Sequence, residues 1–254
     1  MFFFTRMSKK YIQKQLSNSD YTIEVKKCVT STNTIMKEKA RKAAKEFSVI
    51  IASQQTAGRG RMGRSFHSPR GTGIYMSILT KMPENSNPLL ITTDAAVCCA
   101  RVFERMTGER AEIKWVNDIY MGEKKVCGIL TEGAGGYAIV GIGINVIPPK
   151  EGFPDNIKSR AGAVFEKNKP HLREDIIVQF LQEFIKIHKN TNREVLLKEY
   201  RDRSIITGKE IFILKNDGQE KATAIGIADD YSLIVKKENG EKCNLNSVDV
   251  SIKI

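Results

Sequence analysis

The chain is 254 residues long and carries 41 Lys and Arg residues against 29 Asp and Glu residues, which gives a formal net charge of +12. Hydrophobic residues make up 41% of the sequence, so the chain can bury a core of ordinary size, and disordered and collagen-like classes are excluded. This length corresponds to one large domain or two smaller ones.

The positive charge is concentrated in the first third of the chain. Residues 1–75 contain 15 Lys and Arg residues and 4 acidic ones, whereas the remainder is nearly balanced. Because such a surplus is also found in nucleic-acid-binding proteins, that class stays open as an alternative. A short stretch without any acidic residue contains several arginines, and this local density favours one anionic ligand over a long phosphate backbone.

The cysteine content indicates a reducing compartment. Five cysteines, an odd number without a C-x-x-C pair, fit neither a disulfide framework nor a structural zinc site. The beginning, MFFFTRMSKK, places apolar residues before its first charge, unlike a signal peptide, and no stretch approaches the length of a membrane span. We therefore expect a cytoplasmic protein that does not interact with membranes.

Residues 1–205 are predicted to form a main domain in which helices and strands alternate. Ser31 precedes an Ala- and Lys-rich segment, as helix N-cap residues do. Buried apolar runs predict strands, and apolar residues at helical spacing predict an amphipathic helix. The predicted elements are a helix over 31–47, strands over 48–54 and 73–79, a helix over 89–106, a meander over 112–146, and helices over 173–189 and 193–201.

Residues 206–254 show a different pattern of short strands separated by turn signals. An Asn-Asp-Gly turn follows EIFILK, and Asn239-Gly240 is a hairpin signal that precedes the final run, SVDVSIKI. About fifty residues are near the lower limit for independent folding. We predict a small β-barrel that packs against the main domain.

The loop QQTAGRGRMGR, from Gln54 to Arg64, lies between the first two predicted strands. Its glycines satisfy G-x-G-x-x-G, but a dinucleotide site needs a helix to begin there, and the following RSFHSPRGTG cannot start one. Glycine allows close approach of a ligand, and guanidinium groups bind carboxylates and phosphates. The loop therefore predicts a small-anion site that is mobile until the anion binds; an RNA-binding arginine-rich segment is the alternative.

A second cluster, KWVND, runs from Lys114 to Asp118 and is followed by Lys125. If this segment is one strand, Lys114 and Asp118 point to the same face. A carboxylate beside lysines suits a magnesium–phosphate site, although a surface ion pair explains each residue separately. A third cluster, GIGIN at 141–145, indicates either a ligand site or close packing. No nucleophile context is present, so we expect charge stabilisation rather than a covalent enzyme intermediate.

Taken in order, these blocks resemble the biotin protein ligase family. The resemblance runs from about residue 24 to the C-terminus. It implies an α+β fold with a mixed β-sheet flanked by helices, similar to class II aminoacyl-tRNA synthetases, followed by an SH3-like barrel. The blocks that carry it are Ser31-Thr32-Asn33, QTAGRGRMGR at 55–64, KWVND at 114–118, Lys125 with GIL at 128–130, and GIGIN at 141–145.

The resemblance also implies a ligase reaction in two halves. Biotin and ATP with Mg²⁺ give biotinyl-5′-AMP, and the lysine of a biotin carboxyl carrier domain of a biotin-dependent carboxylase then receives the biotinyl group. No tightly bound prosthetic group is implied.

The site residues follow from the same resemblance. Arg59 and Arg61 fold over the biotin carboxylate and the α-phosphate, Lys125 stabilises the developing charge, and Asp118 orients the magnesium-bound phosphates. The implied biotin-binding residues are Ser31, Thr32, Asn33, Gln55, Arg59, Gly60, Arg61 and Lys125. The implied ATP-binding residues are Arg59, Arg64, Phe66, Asn117, Asp118 and Asn145. The implied catalytic residues are Arg61, Lys114, Asp118 and Lys125, and Asp118 is also the metal-associated residue.

The sequence departs from the family pattern at Val116, where proline is usual, and at Met62, where a third arginine is common. About thirty residues precede Ser31, too few for a winged helix-turn-helix, so we expect a monofunctional ligase without a DNA-binding domain. A homodimer is left open. The alternatives are a lipoate or octanoate ligase, against which the loop and the barrel argue, and a non-enzymatic nucleic-acid-binding protein.

Overall fold

The computed structural model of the protein describes residues 7–82, 88–190, 192–215, 218–246 and 251–253. Its larger sheet is built from β1 (Thr22–Lys26), β2 (Ser48–Ala52), β3 (Gly73–Lys81), β4 (Ala111–Lys114), β5 (Asp118–Met121), β6 (Lys124–Ala134) and β7 (Tyr137–Asn145). The strand order is β1-β2-β3-β7-β6-β5-β4. β1 is parallel to β2 and the other neighbours are antiparallel, which confirms the predicted mixed sheet.

Helices cover both faces of this sheet. They are α1 (Lys9–Gln15), α2 (Thr32–Arg41), α3 (Pro88–Thr107), α4 (Leu172–Asn190) and α5 (Arg193–Asp202). α2 packs against β2, β3, β6 and β7, while α3 packs against β4 to β7 and also contacts α4 and α5. Among the described helices, none is long and apolar enough to cross a membrane.

Apolar side chains point to both faces of the larger sheet, which explains why helices cover both of them. Ile78 on β3 belongs to the large core formed with α3, whereas its neighbour Leu79 packs with Met36 of α2 in a smaller core. Successive side chains of a strand point to opposite faces. On the α2 face, however, the apolar side chains give way along the sheet to Ser77 and then to glycines of β7. This face is therefore lined by large apolar side chains at one end and by small residues at the other.

Two features of the N-terminal region differ from the prediction made from the sequence. The helix predicted over 31–47 ends at Arg41, because the chain leaves helical geometry at Ala43, which has a φ of 52°. The structure also contains α1, which the sequence analysis did not predict. Ser8 caps this helix by accepting a hydrogen bond from Tyr11 N at 3.2 Å. Short amphipathic helices are marginal on sequence alone because tertiary packing supplies most of their stability.

The smaller sheet is antiparallel and follows α5. Its strands are β8 (Glu210–Lys215), β9 (Gly218–Ile227), β10 (Leu233–Lys237), β11 (Lys242–Leu245) and β12 (Ser251–Lys253), in the order β11-β10-β9-β8-β12. Its buried residues belong to the same core cluster as those of the main sheet, so the two sheets pack together as expected. The turn predicted at Asn216-Asp217 lies outside the described residues. The SH3-like barrel and the boundary at residue 205 stay predictions.

Candidate active site

The floor of the candidate site is a row of glycines on the α2 face of the larger sheet. Tyr75 of β3 pairs with Gly143 of β7, which pairs in turn with Gly128 of β6. Because neither glycine has a side chain, the ring of Phe66 lies directly on the sheet. A Cβ atom at Gly143 would come within 2.6 Å of Phe66 Cε1. The glycines of the third cluster thus allow other side chains to pack directly on the sheet.

The glycine- and arginine-rich loop forms a short hairpin beside this floor. Arg59 pairs with Ser65 in an isolated antiparallel bridge, and Gly60 N donates to Arg64 O at 2.7 Å. Met62, at the tip, has a positive φ of 52° and an exposed side chain. The expected mobility of the loop before an anion binds stays a prediction.

Arg61 connects the loop to the KWVND segment. Its Nη1 donates to Asn117 Oδ1 at 3.2 Å, and Asn117 Nδ2 donates to Ile129 O at 2.7 Å. Burial lowers the pKa of Arg61, and the negative charge of Asp118 opposes this effect. Since a guanidinium group stays protonated in proteins, Arg61 is a half-buried positive charge inside the site.

Lys125 and Asp118 form an ion pair with 2.6 Å between Nζ and Oδ1. A β-bulge between β5 and β6 changes the register here, so that Tyr120 pairs with Lys125 while Asp118 pairs with Gly128. A bulge inserts one residue into one strand of a pair. It therefore brings Lys125 and Gly128 to the same face, although regular alternation would place them on opposite faces.

Lys114 also faces Asp118, but the prediction that both residues lie on one strand is wrong. The chain turns after Lys114, the last residue of β4, and the two residues pair across the β4–β5 hairpin. Burial lowers the pKa of Lys114. Asp118 opposes this, and the charges of Lys125, Arg64 and Arg160 lower the pKa further.

The predicted biotin-binding residues Ser31, Thr32 and Gln55 lie together at the beginning of α2. Ser31 is buried at the N-cap position. Gln55 Oε1 accepts hydrogen bonds from Thr32 N at 2.9 Å and Thr32 Oγ1 at 3.2 Å, and Gln55 Nε2 donates to Ser68 Oγ at 3.0 Å. These contacts hold the loop against the helix start.

Asn33 is held entirely by protein groups. Its Nδ2 donates to Leu130 O at 3.1 Å and to Glu132 Oε2 at 2.8 Å, while its Oδ1 lies 2.6 Å from Ser77 Oγ. A Cβ atom at Gly141 would lie only 2.2 Å from Asn33 Oδ1. Asn33 therefore fixes the helix start to the sheet.

Glu132 and Arg160 are not among the site residues predicted from the sequence. Glu132 also contacts Lys37 and Arg59, and strand alternation from Gly128 through 130 to 132 is the signal that could have found it. Arg160 lies on a segment that runs beside β6, since Lys125 N donates to Arg160 O at 2.7 Å. No local pattern marks it. Asn145 Nδ2 donates to Gly162 O at 2.9 Å on the same segment.

The arrangement can bind and join anionic groups. The positive charges of Arg61, Lys114 and Lys125 all lie near the carboxylate of Asp118. This part of the site therefore has a positive surplus that a bound anion would neutralise. Within the described residues, no group of three or more His, Cys, Asp or Glu side chains could hold a metal ion. Asp118 alone fits the case in which Mg²⁺ is held by one carboxylate and by the phosphates of a nucleotide.

Fold and site together are those of an enzyme for small anionic substrates, and the comparisons with known proteins agree. The family described as Biotin/lipoate A/B protein ligase matches residues 25–146. The bifunctional ligase/repressor BirA of Bacillus subtilis is 32% identical over 238 residues, covering 88% of this chain and 72% of the relative. The biotin–[acetyl-CoA-carboxylase] ligase of Mycobacterium tuberculosis is 30% identical, covering 72% and 69%.

Solved structures show the same architecture. The biotin protein ligase from Aquifex aeolicus, in complex with biotin and ATP, superimposes with a TM-score of 0.76 at 25% identity and covers 91% of this chain and 98% of its own. The chain belongs to the biotin protein ligase family, and it is a ligase.

Proposed function

We propose that this protein converts biotin and ATP into biotinyl-5′-AMP and pyrophosphate and then transfers the biotinyl group to a lysine of a biotin carboxyl carrier domain. The observation that carries this proposal is the convergence of Arg61, Lys114, Lys125 and Asp118 around a glycine floor. The binding of biotin and ATP by the Aquifex aeolicus relative supports it.

In the first half-reaction a carboxylate oxygen of biotin attacks the α-phosphorus of ATP, and the bond from that phosphorus to the pyrophosphate leaving group breaks. Both reacting groups are negatively charged. Arg59 and Arg61 neutralise them from the loop, and Lys125 stabilises the charge that develops on the phosphoryl oxygens. Lys114, on the same face as Asp118, adds positive charge for the phosphates.

Biotin recognition belongs to the beginning of α2 and the loop. Ser31, Thr32, Gln55 and the backbone of Gly60 supply polar groups for the ureido ring, whose N–H and C=O groups need partners when buried. Asn33 contributes by holding this segment in place, because both N–H groups of its amide donate to protein partners and its Oδ1 accepts from Ser77.

ATP recognition uses the other end of the floor. Phe66 lies on the glycines of the sheet and can stack on adenine. Asn145, whose Nδ2 donates to Gly162 O, can accept a hydrogen bond from the base through Oδ1. Asn117 and Arg64 contact the phosphates. Asp118 would provide the one protein carboxylate for Mg²⁺, which when bound offsets phosphate charge.

In the second half-reaction the lysine amine of the carrier domain attacks the carbonyl carbon of the anhydride. An amide bond forms, the carbon–oxygen bond to AMP breaks, and AMP leaves. The amine loses its proton to solvent in this step, and Asp118 orients the amine through its carboxylate. Water has to be excluded meanwhile because the anhydride hydrolyses, and the loop hairpin provides that cover.

The test uses the full chain with ATP, Mg²⁺ and either biotin or lipoate. We expect pyrophosphate release with biotin, and a carrier domain that gains one biotinyl group by mass spectrometry. Release with lipoate alone would support the lipoate-ligase alternative. Salt-sensitive DNA or RNA binding without any nucleotide turnover would support the nucleic-acid alternative, and either result contradicts the proposal.

A further inference from the structure

Glu132 is a carboxylate inside a strongly basic site, and the reaction proposed above does not use it. It lies on β6 with a side chain that is 15% exposed. Three groups from two separate segments reach it: Lys37 Nζ at 2.6 Å from Oε1, Arg59 Nη2 at 3.3 Å from Oε1, and Asn33 Nδ2 at 2.8 Å from Oε2.

The carboxylate is ionised at neutral pH. Burial by itself raises the pKa of Glu132, but the hydrogen bonds from Lys37 and Asn33 and the charges of Lys37 and Arg59 outweigh burial, so that its pKa lies below the ordinary value. One negative charge therefore faces two positive ones. Because Lys37 and Arg59 together carry one positive charge more than Glu132 neutralises, Arg59 can attract a substrate carboxylate and keep its contact with Glu132.

We infer that Glu132 is a positioning residue for biotin binding, which holds Arg59 at the beginning of the loop hairpin in the position where it meets the substrate carboxylate. This inference rests on the proposed function. Backbone hydrogen bonds from Thr56 N to Val29 O and from Ala57 N to Thr30 O fix the start of the loop. Arg59 itself lies beyond these bonds: it is half-exposed, and its bridge to Ser65 lies within the hairpin. Asn33 receives support from the same carboxylate, which couples the loop to the beginning of α2.

The first experiment compares Glu132→Gln with the wild-type chain in biotin-dependent pyrophosphate release. We expect the KM for biotin to rise about three- to tenfold, the range for one partly exposed charged contact, with a much smaller change in kcat. Glu24→Gln is the matched control. Glu24 also holds two lysines, Lys26 at 2.6 Å and Lys39 at 2.8 Å, but it lies on β1, away from the loop, so its KM should match the wild type.

The second experiment separates positioning from a general structural role. If Glu132 acts through Arg59, adding Glu132→Gln to Arg59→Ala should change the KM for biotin little further. A full-sized effect in that background, or an unchanged KM in a folded Glu132→Gln protein, would overturn the inference.

A third readout does not depend on any ligase activity. Trypsin should cut the loop of substrate-free Glu132→Gln faster than that of the wild type or of Glu24→Gln, as measured by mass spectrometry of the fragments. Equal rates would contradict the inference even if the wild-type chain proved inactive with biotin. A wild-type chain without biotin-dependent turnover but with the expected loop cleavage would instead contradict only the proposed function.

Discussion

Lys125 and Arg61 approach the same space from different segments, and each brings a positive charge into a partly dehydrated site. Lys125 Nζ lies over the floor, 3.2 Å from where a Cβ of Gly128 would be, and pairs with Asp118. Arg61 is held by Asn117. Removing water from charged groups costs free energy unless an opposite charge compensates, so the site is built for anions and is best satisfied when they are bound.

The first prediction concerns Lys125. Lys125→Ala should lower the rate of biotin-dependent pyrophosphate release about 100-fold or more, because it removes a preorganised group that stabilises developing charge. Lys124→Ala is the control: its Nζ donates to Ser159 O at 2.7 Å on the exposed surface, and it should retain activity. Near-normal release by Lys125→Ala would remove Lys125 from the catalytic residues.

The second prediction concerns retention of the intermediate. Arg61→Ala should fold normally but release biotinyl-AMP about tenfold faster or more, as expected for loss of a hydrogen bond to a charged group. Adenylate retained on the protein after gel filtration measures the effect. Arg70→Ala, an exposed arginine of the same basic stretch, should behave like the wild type; if both variants retain adenylate equally, the loop does not hold it.

At the scale of elements, the site depends on how glycines are placed in β6 and β7. Regular alternation puts Gly141, Gly143 and, across the pair, Gly128 on one face. Gly141 lies against the Asn33 side chain, and Gly143 and Gly128 lie against the Phe66 ring. Larger residues at these positions would fill the floor, and so the glycines are explained by close approach rather than by backbone flexibility.

The third prediction tests this explanation. Gly141→Ala should lower the free energy of unfolding by about 1–3 kcal/mol, the usual cost of overpacking, since its Cβ would displace Asn33 from Ser77 and Glu132. Gly133→Ala on β6, where a Cβ would meet nothing within 4 Å, is the matched control and should leave stability nearly unchanged. Urea unfolding compares the two, and equal midpoints would contradict the explanation.

At the scale of the whole molecule, the region of the smaller sheet supports the turn between β4 and β5. Trp115 Nε1 donates to Tyr231 O at 2.9 Å, and Tyr200 OH on α5 donates to Val116 O at 3.0 Å. The rings of Tyr200 and Tyr231 meet edge to face at 5.6 Å between centroids. The turn that precedes Asn117 and Asp118 is therefore fixed from outside the main sheet.

The fourth prediction addresses this link. Trp115→Phe keeps an aromatic ring but leaves the buried Tyr231 carbonyl without its donor, which should cost about 1–3 kcal/mol of stability. Because Trp115 is the only tryptophan, unfolding has to be followed by circular dichroism. An unchanged midpoint in urea would show that the hydrogen bond contributes nothing to holding the two sheets together.

The elements of the main sheet and its long helices could be predicted from the sequence because their signals are local. Three elements occur where their apolar patterns place them. They are β2 before Gln54, β3 from Gly73, and the amphipathic helix α4 that begins near Arg173. The family blocks likewise predicted which residues meet, since Lys114, Asp118, Asn117 and Lys125 do gather in one site.

The remaining features depend on contacts between residues far apart in sequence. Lys114 and Asp118 meet across a hairpin, Lys125 reaches the site through a bulge, and Arg160 arrives there from a segment with no pattern of its own. Strand order, register and bulges follow from packing across the whole sheet. The amino-acid pattern by itself determined the chemical groups and the family, whereas tertiary pairing decided which face each group occupies and gave Glu132 its partners.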